Sequence, residues 1–435
     1  MARVGGRGGN AYVALLRRPG ALAFSASGFV GRMSMSMYGL GTVLLIALLT
    51  GRYGTAGTVA AAGSVGYAVL GPLIAKQADR LGQRRVLVAQ ASVFVLAAGA
   101  FVACAELSAP FWLLLVTGAV AGASMPSIGS MVRTRWSTLL AGDAGAMHAA
   151  FALESVNDEL IFVVGPALVT LLATQLRPAA GIGSAVLLCA TGTLLFAGQR
   201  RTEPPPRPRP ARPALAAGGA RRRGQLGLPE LPAAGLVTLA PTFLLLGAMF
   251  SSVDLSTVAF ASERGHRPLA GLVIGTYALG SAVGGLWYGT RGWSAPIGRR
   301  FAITAAIAAA GVSTFWLMPG LLALALAGFV ACLAVAPTLM AGYAILERQA
   351  PEHRRTEAMA WLSSTVSVGV ALGSAVSGRV IDAHGARSGF VVAACCGIAG
   401  VLVCATGLGR LGTGQPGEPA QWGDDQLTAA KDGCR

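Results

Sequence analysis

Asp79-Arg80-Leu81-Gly82-Gln83-Arg84-Arg85 is a charged island between two long apolar runs, in a chain that is 54% hydrophobic and only 12% charged. Soluble domains carry about 25% charged residues, so charge this scarce marks places where it is needed. Residues 56–77 before the island and 86–105 after it are each long enough to cross a hydrocarbon layer about 30 Å thick as a helix. The island is therefore a tight connection between two membrane spans, with Gly82 at a turn that other residues would strain.

Working outward, the same pattern recurs. Twelve apolar runs are expected at 21–49, 56–77, 86–105, 110–132, 148–173, 179–198, 235–260, 269–290, 301–318, 320–342, 357–378 and 388–409. With a mean hydropathy of +0.62, the expected fold class is an all-α membrane protein. Ten-residue segments of alternating polarity, the mark of a membrane barrel, are absent.

Composition divides the chain. Residues 1–198 hold six runs and 233–410 hold six more. Between them, 199–232 is an Arg/Pro-rich linker carrying Arg200, Arg207, Arg221 and Arg223 among Pro204, Pro206 and Pro210. Such a segment favours extended, semi-rigid chain near an anionic leaflet. The tail 411–435 reads as disordered.

Faint self-similarity joins the halves. Gly31, Met33 and Ser36 match Gly247, Met249 and Ser252, and Arg84-Arg85 fall near Arg299-Arg300 at an offset of about 216 residues.

A net charge of +16 raises nucleic acid as a partner, but the basic residues alternate by loop. About 27 of the 34 Lys and Arg fall on one side when the N-terminus is cytoplasmic, the positive-inside pattern. No nucleic-acid partner is expected. Both termini are expected in the cytoplasm of a multi-pass protein of the plasma membrane.

Written as G-x-x-x-D-R-x-G-x-R-R, with Ala75 at the first glycine position, the island resembles the signature loop between spans two and three of the major facilitator superfamily. The resemblance implies twelve transmembrane helices in two six-helix bundles (the major facilitator fold) and transport by alternating access. It assigns a gate-loop role to Asp79, Arg80, Gly82, Arg84 and Arg85. Gly165 and Pro166 resemble the antiporter motif of the family, although Val169 and Thr170 replace its next glycines. Span four has Thr117, Gly118 and Gly122 where proton-coupled exporters often carry a buried arginine, and Arg32 is expected to stand in for it.

Ionised groups at bilayer depth cost roughly 2.5 to 3.5 kcal/mol each on insertion scales, so they face a cavity or a partner. Span five concentrates Glu154, Asn157, Asp158 and Glu159. The first three share one helical face, and Glu159 lies about 100° round from Asp158. Arg32 and Asp158 come out at equal depth, roughly 15 Å from the cytoplasmic end at about 1.5 Å per residue. They are expected to form a buried cluster in which one carboxylate exchanges a proton, with a static helix-locking ion pair as the alternative. Burial opposes ionisation of a carboxylate and a nearby guanidinium favours it, so moving Arg32 would switch proton affinity.

Asp254, beside Ser251, Ser252, Ser256 and Thr257, is a candidate substrate or gate contact, or else a carboxylate wetted by the outer vestibule. Met33, Ser36, Met37 and Tyr38 are candidates for a soft cavity wall, or for core packing.

The expected function is a secondary transporter, a proton-coupled exporter of small organic or drug-like molecules acting as a monomer. A proton-coupled importer or facilitator is the nearest alternative, and a non-transporting sensor or scaffold a more distant one. The two lysines, Lys76 and Lys431, lie outside any phosphate-binding loop pattern, which disfavours an ATP-driven pump. No enzyme activity, cofactor or metal site is expected.

Overall fold

The computed structural model describes residues 9–205, 233–289, 295–349 and 355–407. The helices in chain order are α1 (Gly9–Leu16), α2 (Ala21–Thr50), α3 (Tyr53–Leu81), α4 (Gln83–Glu106), α5 (Phe111–Ser124), α6 (Ile128–Leu139), α7 (Ala144–Gln175) and α8 (Pro178–Gly198). After the linker come α9 (Ala233–Glu263), α10 (Ala270–Gly289), α11 (Ile297–Val312), α12 (Leu321–Cys332), α13 (Val335–Gln349), α14 (Arg355–His384) and α15 (Ala386–Thr406).

Eleven segments of the described residues are long and apolar enough to span a membrane, α5–α6 and α12–α13 each forming one. The remaining long helix, α3, is as long but richer in small residues. It lies against α5 of its own bundle and α14 of the other. A methyl group at Gly66 would sit 2.6 Å from the Ala119 carbonyl oxygen, and one at Gly57 only 2.1 Å from that of Ser374. Small side chains let backbones approach where lipid supplies no hydrophobic drive. With α3 as the twelfth span, the architecture is two six-helix bundles, α2–α8 and α9–α15.

Two spans are broken. Pro126 removes a backbone donor, and Met125–Ser127 separate α5 from α6. In the second bundle, Leu333–Ala334 separate α12 from α13. Span four therefore continues to Leu139, beyond the expected end at 132, and brings Arg133, Arg135 and Trp136 into the helix. The short α1 was not anticipated. Its Leu15 is buried in one cluster with Phe24, Trp136 and Leu140.

Gly82 has φ +90° between α3 and α4, the left-handed region that a side chain disfavours. The linker beyond residue 205 and the tail from 411 lie outside the described residues. The linker's first residues are held: Arg135 donates to the Gln199 carbonyl at 3.2 Å and to Thr202 Oγ1 at 3.0 Å.

The bundles meet along α3 with α14 and along α7 with α10. Their close approaches lie toward the end opposite the linker. A methyl at Gly271 would be 2.1 Å from the Pro166 carbonyl oxygen, and one at Gly275 would be 3.0 Å from that of Val163. A methyl at Gly378 would be 2.4 Å from the carbonyl of Tyr53. At the same end the carboxylate of Asp382 accepts the backbone N–H groups of Tyr53 and Gly54 at 2.6 and 2.7 Å.

Candidate functional site

The charge cluster forms between α2, α6 and α7. Glu154 and Asp158 lie one turn apart on the same face of α7, as their spacing requires. That face meets α2, and Arg32 reaches both carboxylates. Its Nη1 donates to Asp158 Oδ1 at 2.7 Å, its Nη2 pairs with Glu154 Oε2, and its Nε donates to the Gly28 carbonyl at 3.2 Å. The Arg32 side chain is 3% exposed and that of Glu154 fully enclosed.

Two further donors complete Glu154: Ser25 Oγ and Trp136 Nε1, each at 2.9 Å. Asn157 Nδ2 reaches Ser25 Oγ only at 3.5 Å, a marginal hydrogen bond.

Arg133 was not anticipated here. Its Nη2 donates to Asp158 Oδ2 at 2.6 Å, so this carboxylate is clamped between two guanidiniums. The cluster is balanced, two arginines against two carboxylates. Span four does supply arginine, from α6 rather than from the Thr117 to Gly122 stretch. A second arginine of α6, Arg135, is fully buried. It donates to Gln83 Oε1 at 3.0 Å and stacks on the Phe196 ring at 3.7 Å from the centroid. The signal for both arginines was the continuation of a helical pattern past Pro126.

Glu159 stands apart. It is half-buried, and among the described residues it has no ion pair. Val163, Pro166 and Thr170 touch α10 at Gly271 and Gly275. Stepping back four residues from Val163 puts Glu159 on the same face, one turn nearer the linker end.

Asp254 is the one exposed residue between 238 and 262 on α9. A lipid-facing helix shows exposed positions repeating at helical spacing. A lone exposed position on an otherwise enclosed helix opens instead onto an internal space. The helix packs chiefly on α14 and α15, and Asp254 lies within electrostatic range of Tyr277 of α10 and Cys332 of α12. No ion pair holds Asp254 among the described residues.

On α2, Met33, Ser36, Met37 and Tyr38 take the packing alternative. Met33 and Met37 are buried with Ile161, Val169 and Ala185. Tyr38 is buried, edge-on to Phe94 at 5.4 Å. Ser36 donates to the Ile161 carbonyl at 2.9 Å. These four hold α2 against the rest of its bundle. Between residues 27 and 48 only Met35 and Gly39 are exposed, one turn apart on the opposite face. Met35 is the methionine that reaches open space.

Gly165 and Pro166 sit where three helices converge. A methyl at Gly165 would be 1.9 Å from Ser36 Oγ of α2, while the Pro166 carbonyl faces Gly271 of α10. In the charged island, Arg80, Arg84 and Arg85 are exposed. The backbone N–H of Arg84 donates to Glu203 Oε1 at 2.8 Å. The side chain of Asp79 lies outside the described residues.

Two six-helix bundles with broken fourth and tenth spans describe the fold, and comparison with known proteins gives the family. The family model described as Major Facilitator Superfamily matches residues 24–290 and 239–429. The chain belongs to the Major Facilitator Superfamily. Similar solved structures include the nucleoside transporter NupG (D323A mutant; 14% identity, TM-score 0.66), with 89% of this chain and 99% of that chain covered. The POT family transporter PepTSo has 15% identity and a TM-score of 0.65 over 89% of this chain and 96% of its own. A bacterial homologue of the iron transporter ferroportin, in an inward-facing state, has 14% identity and a TM-score of 0.65 over 89% and 99%. At these identities the likeness is one of fold. No curated protein matches the chain by sequence.

Proposed function

We propose that this member of the superfamily exports small organic molecules across the plasma membrane by alternating access, in exchange for protons. The observation that carries the reading is the lone exposure of Asp254 on the enclosed helix α9, an unpaired carboxylate facing an internal space. Basic residues gather at the linker end, which makes that end cytoplasmic. The tight contacts at the opposite end then describe a passage shut to the outside. Both bundles belong to one chain, so a monomer supplies the whole passage.

Proton coupling has a physical basis in two carboxylates. When the cytoplasmic ends close, α10 comes over the inner half of α7, and its next residues, Ala278, Leu279 and Ala282, offer Glu159 no cation. An isolated carboxylate taken out of water neutralises rather than remaining charged. Asp254 meets the same demand from the other side of the passage. Arg32, Glu154, Asp158 and Arg133 instead hold the first bundle rigid beside these sites, because every carboxylate oxygen among them already accepts a donor.

The test is accumulation of candidate solutes in inverted membrane vesicles under an imposed proton gradient. Gradient-driven uptake that falls at least tenfold in Asp254→Asn and in Glu159→Gln supports the reading. Uptake in the unsubstituted protein that is indifferent to the gradient removes proton coupling. Accumulation only in right-side-out vesicles reassigns the protein as an importer.

A further inference from the structure

A cavity of about 730 Å³ opens at the linker end of the first bundle, walled by Arg84, Arg85, Arg200 and Glu203, with Leu81 and Val88 on its apolar flank. Three arginines face one glutamate, and one oxygen of that carboxylate is already taken by the backbone N–H of Arg84. Among the described residues of the wall, two positive charges are left without a counterpart.

The arginines are placed by the fold. Arg84 and Arg85 occupy the first turn of α4, set by the turn at Gly82. Arg200 lies on the strap that follows α8. Buried Arg135 fixes that strap through the Gln199 carbonyl and Thr202, and Glu203 ties it to α4.

The cavity also lies at the edge of the lipid. Exposed positions on α4 run Arg85, Ala89, Val93, Leu96 in steps of three and four residues. Leu194 and Leu195 are exposed on the neighbouring helix α8, at 57% and 62%. Both apolar stripes run toward the linker end and finish at the cavity. Guanidinium groups pair with phosphate oxygens through two parallel hydrogen bonds, a match that a single ammonium cannot make.

We propose that this cavity binds the phosphate headgroup of an anionic phospholipid from the leaflet on the linker side, its acyl chains lying along the exposed stripes of α4 and α8. The chemistry recognised is a phosphate anion, and the attached chains distinguish a lipid from free phosphate. The site is separate from the passage and does not depend on the direction or coupling of transport.

The experiment uses the purified full chain in detergent. Thermal unfolding midpoints are measured against added phosphatidylglycerol, phosphatidylcholine or inorganic phosphate. Native mass spectrometry in mixed phosphatidylglycerol and phosphatidylcholine counts the lipids retained. Selective retention of phosphatidylglycerol with a raised midpoint is expected. The pair Arg85→Gln and Arg200→Gln should weaken the apparent affinity about 10- to 30-fold, taking each basic residue near the surface at about 1 kcal/mol. Arg177→Gln, at the opposite end, should leave it unchanged.

Equal retention of both lipids by the unsubstituted chain would overturn the proposal, and this reading needs no variant to fold. So would a phosphatidylglycerol preference that survives in the double variant. If inorganic phosphate raises the midpoint as far as phosphatidylglycerol at equal concentration, the site belongs to a free anion and the lipid assignment fails.

Discussion

The carboxylate of Asp382, at the end of α14, caps the N-terminus of α3 in the other bundle, taking the N–H groups of Tyr53 and Gly54 at 2.6 and 2.7 Å. The first turn of a helix leaves its N–H groups without partners and carries partial positive charge, so an anion there satisfies both. Here the cap comes from a residue more than 300 positions away and joins the bundles at their closed end. Loss of a helix cap costs about 0.5 to 2 kcal/mol. Asp382→Ala should therefore shift the closed-to-open ratio at this end by about 2- to 30-fold. Pulsed electron resonance between spin labels at Leu176 and Leu269, in a cysteine-free background, reads that shift as a growing long-distance population. An unchanged distance distribution would show that α7 and α10 hold the end shut without the cap.

Removing Arg32 alone should be costly. Arg32→Ala strands the fully enclosed carboxylate of Glu154, and breaking a buried ion pair from one side destabilises by about 3 to 5 kcal/mol. Arg32→Met combined with Glu154→Gln should recover much of the loss, because Arg133 still holds Asp158 and the amide oxygen still accepts from Trp136 and Ser25. Thermal unfolding of the three proteins in detergent checks the order. A double variant no more stable than the single one would assign the loss to packing of the arginine stem.

Contacts across the seam make a steric prediction. A methyl group at Gly271 meets the Pro166 carbonyl at 2.1 Å and Thr170 Oγ1 at 2.5 Å, whereas one at Gly39 meets nothing within 4 Å. Gly271→Ala should part the labelled ends, while Gly39→Ala leaves the distances alone. Since Gly271 touches only the other bundle in these close contacts, the unfolding midpoint should change less than the distances do.

At the linker end, Asp143 caps α7 by accepting from the Ala146 N–H at 3.0 Å and pairs with Arg18 at 3.1 Å. The Ala146 N–H first, and then Arg18, hold its carboxyl below the ordinary carboxylate range. A lowered folded value means the contribution is fully present above the unfolded value near 4 and is lost as pH falls through the folded one. Asp143→Asn should flatten that part of the acid limb of the unfolding midpoint, with little change at neutral pH. The residue is exposed, so the effect is small. An unaltered acid limb would remove Asp143 from the pH response.

Hydropathy made the spans readable, and helical spacing made the shared face of Glu154 and Asp158 readable, because both signals are local. Arg32 was within reach by depth alone, since a charge at that depth needs a partner. Arg133 and Trp136 were missed when the fourth span was ended before them. A proline at residue 126 reads as a stop in one chain segment, yet neighbouring helices let the span resume. For the methionines of α2 the sequence left cavity wall and core packing both open, because alternation within a helix says which residues share a face, not which face is turned inward. That choice is made by α7 and α8, whose side chains enclose Met33 and Met37 and leave Met35 free. The cap at Asp382 had no sequence signal at all, since its receptor is peptide backbone.

That receptor makes the junction lopsided toward mutation. Almost any residue at position 53 still presents an amide hydrogen, so drift there leaves the junction intact, with proline as the exception. On the far side everything rests on one carboxylate of fixed reach. A search for variants locked in either orientation would therefore recover changes at Asp382 readily and, on the opposing helix, proline, which removes one of the two amide donors, or any larger residue at Gly54, where an added Cβ would lie 2.8 Å from Asp382 Oδ2.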